Sequence, residues 1–544
     1  MNDIDPGILN LEDISVRSAI ASWLSAFEDA LSNTDKAALA SLFEDDSHWR
    51  DLVAFTWHLS PYAGAADIAV GLTNAQGSIK ASGFTIDPNR TPPRRAKRLG
   101  RDVIEAFFVF ETELGRGNGV VRLLDDTNAR AWNFLTTLEE LKGHEEHLGP
   151  RRPSGEAYSR NFGGENWLDQ RTHSQAYEDR EPTVLVVGGG QAGLGIAARL
   201  GQLDIDTLVV DRLPRIGDCW RLRYHSLALH NEIHANHLPY MPFPQNWPKY
   251  IPKDMLGNWF EFYADAMSIN FWTSTEFIHG AYNDKTKHWS ATVRRSNGIE
   301  RTLSPRHVIF ANGVSGIPKV PNLPGLEEFK GDVLHSHSFT DGSGWHGKKA
   351  LVLGTGNSGH DVAQDLHSHG VETTIIQRGS GTVVSIDPSA KMNYAMYEEG
   401  PPLEDCDFLA SMATYPLVVL GYQLAVQRMV ELDKDIIEGL KAKGFKYDIG
   451  HDKTGHQMKY RRRGGGYYLD AGCSGLIIDG EIGLMQFDTI ETFVKDGVLL
   501  KDGTVVPADL FVLATGYYAQ QELVRRLLGD EIAERVGEIW GIDA

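Results

Sequence analysis

Shortly after residue 183, a run of β-branched and aliphatic residues leads into three spaced glycines. Residues 184–187 are typical of a buried strand, and the residues after Gly193 follow a helical pattern. In a strand–turn–helix of this kind Gly188 allows the tight turn, and Gly190 lets a pyrophosphate approach the backbone. Gly193 lets the helix pack closely against the strand. The stretch therefore predicts a dinucleotide-binding site.

The residues around these glycines complete the signature. N–H groups at the predicted helix start, including those of Gln191 and Ala192, are placed to bind phosphate. A second strand-like run ends at Asp211, about 18 residues after Gly193. An acid in that position accepts a hydrogen bond from a ribose hydroxyl. Arg212 follows it directly and is a further candidate cofactor ligand.

A second copy of the same design begins near residue 350. Its glycines are Gly354, Gly356 and Gly359, and Asn357 and Ser358 lie between the last two. An aliphatic strand precedes these residues and a helical pattern follows them. Two strand–turn–helix motifs with this spacing predict two dinucleotide sites in one chain.

The two motifs differ in the residue that ends the following strand. The second ends at Arg378, where the first ends at Asp211. A carboxylate repels a 2′-phosphate, whereas a guanidinium can pair with one through two hydrogen bonds. The second site is therefore predicted to bind NADPH, with NADH accepted where that pairing is loose. The first site is predicted to bind FAD.

Composition argues against several classes of partner. The formal net charge of −20 is unfavourable for nucleic acid or an anionic membrane surface. The only cysteines are Cys219, Cys406 and Cys473, which are too few and too far apart for a disulfide framework or a zinc site. The acidic N-terminus lacks the basic and apolar regions of a signal peptide. We therefore expect a cytoplasmic protein with no metal site.

Residues 409–426 are the most apolar stretch of the chain. Their proline, glycine, tyrosines and glutamine argue against a clean membrane span. We predict a buried or channel-lining helix here.

The first 175 residues have a different pattern. Apolar residues at helical spacing come first, and strand-like runs follow, namely residues 103–111, 119–124 and 129–138. Helices followed by a meander of strands are an α+β layout. It resembles the SnoaL-like cone, in which a curved sheet wraps helices around an apolar pocket. Asp46, His48 and Asp51 either line such a pocket as acid–base groups or are hydrogen-bonded structural residues, and we favour the structural reading.

Several motifs after residue 183 resemble those of the flavin-containing monooxygenases. Residues 329–339 match the fingerprint Phe-x-Gly-x-x-x-His-x-x-x-Phe/Tyr at every defined position. This fingerprint ends in Phe339, where the Baeyer–Villiger subgroup has tryptophan. The family's Gly-x-x-Trp-Arg segment is present with Trp220 and Arg221. Its Ala-Thr-Gly-Tyr motif is present with Thr515 and Gly516.

The resemblance covers about residues 183–544 and implies how the chain works. It implies that NADPH reduces FAD and that the reduced flavin captures O2 as a C4a-hydroperoxide, which gives one oxygen to a small organic substrate. Trp220 and Arg221 are implied to lie beside the flavin, and Asn231 to lie near the peroxide. His335 of the fingerprint is implied to be architectural. Relatives continue beyond the position of Ala544, so we expect either a missing tail or a flavin site completed differently.

The chain resembles the type II subgroup of this family in having an extra domain before the monooxygenase part. That subgroup is implied to accept NADH and to oxygenate ketones besides sulfides and amines, and a homodimer is implied as well. An N-hydroxylase stays open as an alternative. So does a non-catalytic flavoprotein with a ligand-sensing N-terminal domain.

The predicted fold class is α/β, with two Rossmann-like domains for FAD and NADPH preceded by an α+β cone domain. The predicted boundaries are residues 1–175 for the cone domain and linker, 183–330 for the first part of the FAD domain, 331–480 for the NADP domain with a helical insertion, and 481–544 for the second part of the FAD domain.

Overall fold

A computed structural model describes residues 11–154, 158 and 160–538. Residues 539–544, next to which the expected missing tail or different completion of the flavin site would lie, are outside the described residues. The chain divides into two compact units. The first is Met1–Glu146 with Asn393–Leu424, and the second is His147–Met392 with Ala425–Ala544.

Fifteen α-helices and twenty-four strands make up the regular structure of the described residues. In chain order the helices are α1 Leu11–Ser32, α2 Lys36–Ser41, α3 Ala65–Ile79, α4 Trp167–Ala176, α5 Gln191–Gln202, α6 Asp218–Arg221, α7 Lys253–Ala266, α8 Asn357–Ser368, α9 Leu403–Ser411, α10 Tyr415–Leu432, α11 Lys434–Ala442, α12 Gly455–Arg463, α13 Cys473–Asp479, α14 Gln520–Leu528 and α15 Asp530–Val536. The strands are β1 Phe43–Leu52, β2 Leu59–Ala63, β3 Ser82–Ile86, β4 Arg94–Arg98, β5 Arg101–Glu111, β6 Gly115–Leu124, β7 Ala131–Leu141, β8 Val184–Val187, β9 Thr207–Val210, β10 Asn270–Trp272, β11 Thr275–Asn283, β12 His288–Arg295, β13 Glu300–Leu303, β14 His307–Phe310, β15 Asp332–His335, β16 Lys349–Leu353, β17 Glu372–Gln377, β18 Thr382–Ser385, β19 Tyr467–Asp470, β20 Gly483–Gln486, β21 Ile490–Val494, β22 Gly497–Leu500, β23 Val505–Pro507 and β24 Leu510–Leu513.

The first unit is built on a seven-stranded sheet in the order β2-β1-β7-β6-β5-β3, with β4 paired to β5. Helices α1 to α3 pack on one face of this sheet. The predicted helices and the three predicted strand runs are confirmed as α1, α2, β5, β6 and β7. The apolar pocket expected inside a cone is instead filled by aromatic rings. Trp23 stacks on Phe27 at 5.1 Å between centroids, and Phe108 stacks on Phe134 at 5.3 Å.

The opposite face of this sheet is covered by α9 and the first half of α10. Leu409 and Met412 pack with Phe107 and Leu135, and Leu417 packs with neighbouring strands of the same sheet. The sequence placed this stretch inside the NADP domain, whereas the structure groups residues 393–424 with the first unit. The reason is that apolar side chains on these helices match an apolar sheet face far away in sequence. Among the described residues, no single helix has the length and apolarity to cross a membrane, although the bent pair of α9 and α10 passes that test on length and composition.

The second unit contains two parallel sheets. The first has the order β10-β9-β8-β14, and the second has the order β15-β24-β16-β17-β20. In both, the strand before a glycine turn is flanked by the next strand in sequence on one side and by a returning strand on the other. Open parallel sheets bind ligands at such a switch point, beyond the carboxyl ends of the strands.

The boundary predicted at residue 481 differs from this arrangement. Strand β20 pairs with β17, and β24 lies between β15 and β16. Residues 483–513 therefore belong with the second glycine motif rather than the first. Leu528 on α14, later in the chain, packs near Phe277 on β11, a strand of the separate sheet β11-β12-β13 whose apolar residues share a core cluster with β8 and β9.

Candidate active site with two glycine turns

The first glycine turn is shaped by the protein's own packing. Gly188 has a φ of +106°, and a Cβ added to it would lie 2.6 Å from the carbonyl oxygen of Ala311. A Cβ on Gly193 would lie 1.9 Å from the carbonyl oxygen of Gly188. A Cβ on Gly190 would meet none of the described atoms within 4 Å. Two of the glycines are thus required by the fold, and the middle one borders open space.

That open space lies at the start of α5. Gly190 is the N-cap, and no side chain in the described part of the chain caps the helix there. The first intrahelical bond is donated by the N–H of Leu194 to the carbonyl of Gly190. The N–H groups of Gln191, Ala192 and Gly193 precede it, so they are the unsatisfied donors that a phosphate needs.

Asp211 follows β9 and orders the glycine turn. One carboxylate oxygen accepts a hydrogen bond of 2.7 Å from the N–H of Gly189, and the other accepts one of 2.9 Å from the N–H of Leu213. Each oxygen keeps a second acceptor position that a ribose hydroxyl can use. Gly189 is a functional position that sequence reasoning missed. A Cβ there would lie 2.1 Å from the ring of Phe271, so a larger residue would displace that ring.

Three predicted cofactor ligands lie in the segment after Asp211, and their surroundings differ. Arg212 is exposed, and Trp220 is half-buried against the core of the first sheet. The five N–H groups of Arg221 all donate to protein acceptors, and two of the shortest bonds reach the carbonyls of Ile216 (2.7 Å) and Gly257 (2.8 Å). Arg221 therefore holds α6 against α7 and has no donor left for a cofactor.

The second glycine turn repeats the geometry of the first. Gly354 has a φ of +126°, and its Cβ position lies 2.4 Å from the carbonyl oxygen of Ala514. The Cβ position of Gly359 lies 2.0 Å from the carbonyl oxygen of Gly354. Gly356 is the N-cap of α8, again with no side-chain cap from the described residues. The free N–H groups at this helix start are of the kind that binds a phosphate.

The predicted ligands around the second turn have different surroundings. Arg378 is exposed after β17, and it makes no hydrogen bond or ion pair with any residue that the structure describes. The side-chain oxygen of Asn357 accepts a bond of 2.8 Å from the N–H of Leu469, which ties the turn to β19. Ser358 follows on the first turn of α8. Arg378 thus keeps its guanidinium for a ligand, whereas Asn357 uses its oxygen within the protein.

Thr515 and Gly516 connect the fingerprint to the second turn. The Thr515 hydroxyl donates to the carbonyl of Lys319 (2.6 Å), so towards a cofactor it can only accept. The carbonyl of Gly516 accepts from Nε2 of His335 (3.1 Å), and Nδ1 of His335 accepts from the N–H of His337. His335 is buried and has both ring nitrogens engaged, which is the geometry of an architectural residue.

Asn231 lies on the half-buried loop after the Trp-Arg segment. The next residue, Glu232, is 1 % exposed and pairs with Nζ of Lys249 at 2.5 Å. The residue before Asn231 is His230, and burial lowers the pKa of its imidazole. Sequence reasoning missed this charged neighbour, because nothing in the pattern indicates that Glu232 is buried.

A second missed pair joins the segment after α6 to α8. The hydroxyl of Tyr224 donates to Oδ2 of Asp361 at 2.5 Å. Burial raises the pKa of Asp361 to about 6, against the lowering effect of this hydrogen bond. Asp361 stands two residues after Gly359, and that closeness to the glycine motif was the available signal.

The three polar candidates of the first unit do not face one pocket. Asp51 is fully buried, and its carboxylate accepts from the hydroxyl of Thr136 (2.7 Å) and the N–H of Thr56 (2.8 Å). His48 hydrogen-bonds through Nδ1 with Thr414 on the opposite side of the sheet. Asp46 pairs with Arg101. These contacts agree with the structural reading of the three residues.

Both glycine turns fit a dinucleotide. Each has an uncapped helix start, a middle glycine beside free space and crowded outer glycines. The thiol of Cys219 has its pKa raised to about 12 by burial and by Asp211, which is unfavourable for disulfide chemistry beside the first turn.

Known proteins resemble this chain. The relatives include the probable indole-3-pyruvate monooxygenase YUCCA4 of Arabidopsis thaliana, 27% identical over 337 residues, which cover 62% of this chain and 75% of that protein. The probable indole-3-pyruvate monooxygenase YUCCA3 of the same plant is 30% identical over 338 residues, covering 61% and 72%. A solved structure of ε-caprolactone-bound cyclohexanone monooxygenase is similar with 19% identity and a TM-score of 0.48, covering 64% of this chain and 76% of that one.

The family model described as FMO-like, flavin-binding monooxygenase-like, matches residues 181–526. This match spans more than half of the chain and includes both glycine turns and the fingerprint. The protein therefore belongs to the flavin-binding monooxygenase-like family and is a flavin-dependent monooxygenase with FAD and NADPH as its cofactors.

Proposed function

We propose that this enzyme transfers one oxygen atom of O2 to small organic substrates, oxidising sulfides and amines and, in addition, ketones. The observation that carries the proposal is the pair of matching glycine turns with opposite charges after their second strands. Asp211 suits a ribose without a 2′-phosphate, and the exposed guanidinium of Arg378 suits one that carries it.

The proposed division of labour follows from these charges. FAD binds at the first turn and NADPH at the second, and together they supply reducing equivalents and oxygen activation when bound. The N–H groups of Gln191 to Gly193 and of Asn357 to Gly359 hold the two pyrophosphates. Asp211 and Arg378 orient the two riboses. The protein thereby contributes position and fixed dipoles rather than acid–base chemistry.

Asn231 stays our proposed catalytic residue. Its support is its place between His230 and Glu232 on a half-buried loop. The ion pair of Glu232 with Lys249 gives that loop a fixed anchor, so the carboxamide would be held without charge beside the reacting atoms.

The substrate range is proposed on two grounds. The fingerprint ends in Phe339, as in members that oxidise sulfides and amines. The additional α+β unit resembles the SnoaL-like domain of type II members, which supports ketones as further substrates. Two relatives are named for indole-3-pyruvate, so a 2-oxo acid belongs in the test. A homodimer and a cytoplasmic location stay predictions.

The test has two stages. Under anaerobic conditions, NADPH is expected to bleach the yellow flavin of the purified protein, and failure to bleach would refute the proposed function. In air, NADPH consumption and products are then measured with a sulfide, a tertiary amine, a cyclic ketone and indole-3-pyruvate. Formation of hydrogen peroxide alone with all four would refute the substrate classes while leaving the flavin chemistry intact.

A further inference from the structure

We infer that the N-terminal unit serves to hold residues 393–424, the insertion segment, in one conformation. The interior of its sheet and helices is packed with aromatic rings, as in the stacked pair of Phe84 and Phe110 at 5.1 Å between centroids. The other face of the sheet is occupied by the insertion segment. Both faces of the sheet are therefore engaged, and the engaged partner on the second face comes from the monooxygenase part of the sequence.

Apolar contacts are the first interaction that holds the insertion segment on the sheet. Met412 is fully buried and Leu409 is 1 % exposed, and both lie against Phe107, Val120 and Leu135. Burying aliphatic side chains of this size is favourable because it removes apolar surface from water. Removed from the sheet, these side chains would face water, so the segment depends on the unit that covers it.

The bend between α9 and α10 is fixed by hydrogen bonds from β1. The two helices meet at 108°. Nη1 of Arg50 donates to the carbonyl of Ser411 at 2.6 Å, and Nδ1 of His48 lies 2.9 Å from the hydroxyl of Thr414. The end of a helix leaves carbonyls without partners, and Arg50 satisfies one of them.

Charge complementarity selects this segment as the partner of the sheet. Arg94, Arg98 and Arg122 surround the carboxylate of Glu105, which is 1 % exposed. Three guanidinium groups around one carboxylate leave an excess of positive charge. Glu399 of the insertion segment supplies the second carboxylate, through two bonds of 2.7 Å from Arg98.

A second buried pair repeats the arrangement nearby. Nη1 of Arg90 donates to Oδ1 of Asp405 at 2.8 Å, and the N–H of Thr91 donates to the other oxygen at 2.8 Å. Asp405 is 3 % exposed. Removing one partner of a buried pair leaves an uncompensated charge, which is strongly destabilising.

The test is a double-mutant cycle on the full-length protein with FAD bound. Glu399→Gln and Arg98→Gln are each expected to raise hydrogen exchange of the amides in residues 403–420 by about tenfold or more. The double variant is expected to raise exchange by less than the product of the two single effects, because both variants remove the Arg98–Glu399 pair. Arg98→Gln additionally removes the pair with Glu105, and Glu399→Gln additionally removes the pair with Arg94. Thr414→Val is a milder variant that should raise exchange in the same residues.

Asp125→Asn is the matched control. Arg95 lies on the same strand as Arg94 and pairs with Asp125 at 2.7 Å, away from the insertion segment. Asp125→Asn should leave hydrogen exchange of the amides in residues 403–420 unchanged. Unchanged exchange in both Glu399→Gln and Arg98→Gln would overturn the inference, as would an equal rise in the control.

A different observation carries a second inference, which rests on the proposed function. We propose that Tyr224 and Asp361 are positioning residues that hold the second glycine turn at a fixed distance from the first. By sequence Tyr224 belongs to the segment that follows α6, and Cys219 and Trp220 of α6 pack against the core of the first parallel sheet. The Tyr224 ring, however, is 5 % exposed in the core of the second sheet with Phe339 and Val362.

The hydrogen bond therefore connects the neighbourhood of one dinucleotide site to the helix of the other. Asp361 lies on α8, whose start forms the second phosphate site. The N–H of His225, the residue after Tyr224, donates a hydrogen bond of 2.8 Å to the carbonyl of Thr340, so a second bond ties this segment to the part of the chain that follows the fingerprint. Loosening this connection would leave each site formed but change the spacing between them, to which hydride transfer is sensitive.

Tyr224→Phe is expected to keep full FAD content and wild-type affinity for NADP+, measured by the shift in melting temperature. Anaerobic flavin reduction at saturating NADPH should slow by about tenfold to a hundredfold. Tyr177→Phe is the matched control, because Tyr177 is buried and donates to Asp206 at 2.6 Å before β9, at the other edge of the first sheet. Equal reduction rates in the wild type and Tyr224→Phe would refute the inference. A wild type that NADPH does not reduce would instead refute the proposed function.

Discussion

Adding one methyl group to one of the two glycine turns should weaken the binding of one cofactor and leave the binding of the other unchanged. A Cβ on Gly193 would lie 1.9 Å from the carbonyl oxygen of Gly188, and one on Gly359 would lie 2.0 Å from that of Gly354. Real Cβ contacts are essentially never closer than 3.0 Å, so each turn would have to open by about 1 Å. The displaced atoms are backbone atoms of the loop that faces the phosphates, so the change acts directly on cofactor binding.

The magnitude follows from the cost of overpacking. Forcing an additional carbon into a packed site costs about 1–3 kcal/mol. If the turn relieves the clash by opening, that cost appears as lost cofactor affinity of about 5- to 150-fold. Gly193→Ala should therefore purify with much less FAD. Gly359→Ala should keep its FAD but need about 5- to 150-fold more NADPH for half-maximal flavin reduction.

The assay is the ratio of flavin absorbance to protein absorbance, followed by anaerobic titration with NADPH. Gly201→Ala is the matched control, because Gly201 lies on the same helix as Gly193 and its Cβ would meet none of the described atoms within 4 Å. It should bind FAD normally and be stabilised by up to about 1 kcal/mol through helix propensity. Normal binding of both cofactors by both turn variants would contradict the reasoning. Loss of FAD from Gly359→Ala alone would reverse the assignment of the two sites.

Three further outcomes are expected. Arg378→Ser should raise the KM for NADPH by about tenfold or more and leave the KM for NADH nearly unchanged, because only the former carries the 2′-phosphate; steady-state kinetics with both coenzymes decides this. Asp51→Ala should lower the free energy of unfolding by about 3 kcal/mol or more in urea titrations, since it leaves buried donors of Thr56 and Thr136 without a partner. Burial would raise the pKa of Glu105, but Arg122 and Arg98 lower it from 4.5 to about 2. The stabilisation it gives, about 3 kcal/mol, should be complete above about pH 4.5 and disappear as the pH falls towards 2, and Glu105→Gln should abolish this pH dependence in acid unfolding.

Local pattern was sufficient for the two glycine turns. The strand, the turn and the helix start are consecutive in sequence, so neighbouring residues alone were enough to predict the glycines, Asp211 and Arg378. Arg221 shows what local pattern does not reveal. Its motif suggested a cofactor ligand, and three of its five hydrogen bonds reach residues of α7 that lie 36–40 positions away in sequence.

The sequence by itself predicted two glycine turns of the dinucleotide-binding kind, each followed by a strand that ends in a charged residue, negative after the first turn and positive after the second, within the flavin-binding monooxygenase-like family. It did so because backbone conformation at a glycine turn and charge at a strand end depend on neighbours in the chain. Only the tertiary structure decided that β24 lies between β15 and β16, that Tyr224 reaches Asp361, and that residues 393–424 cover the sheet of the N-terminal unit. These features depend on which distant apolar faces and buried charges match one another, and that matching is a property of the packed molecule rather than of any short stretch of sequence.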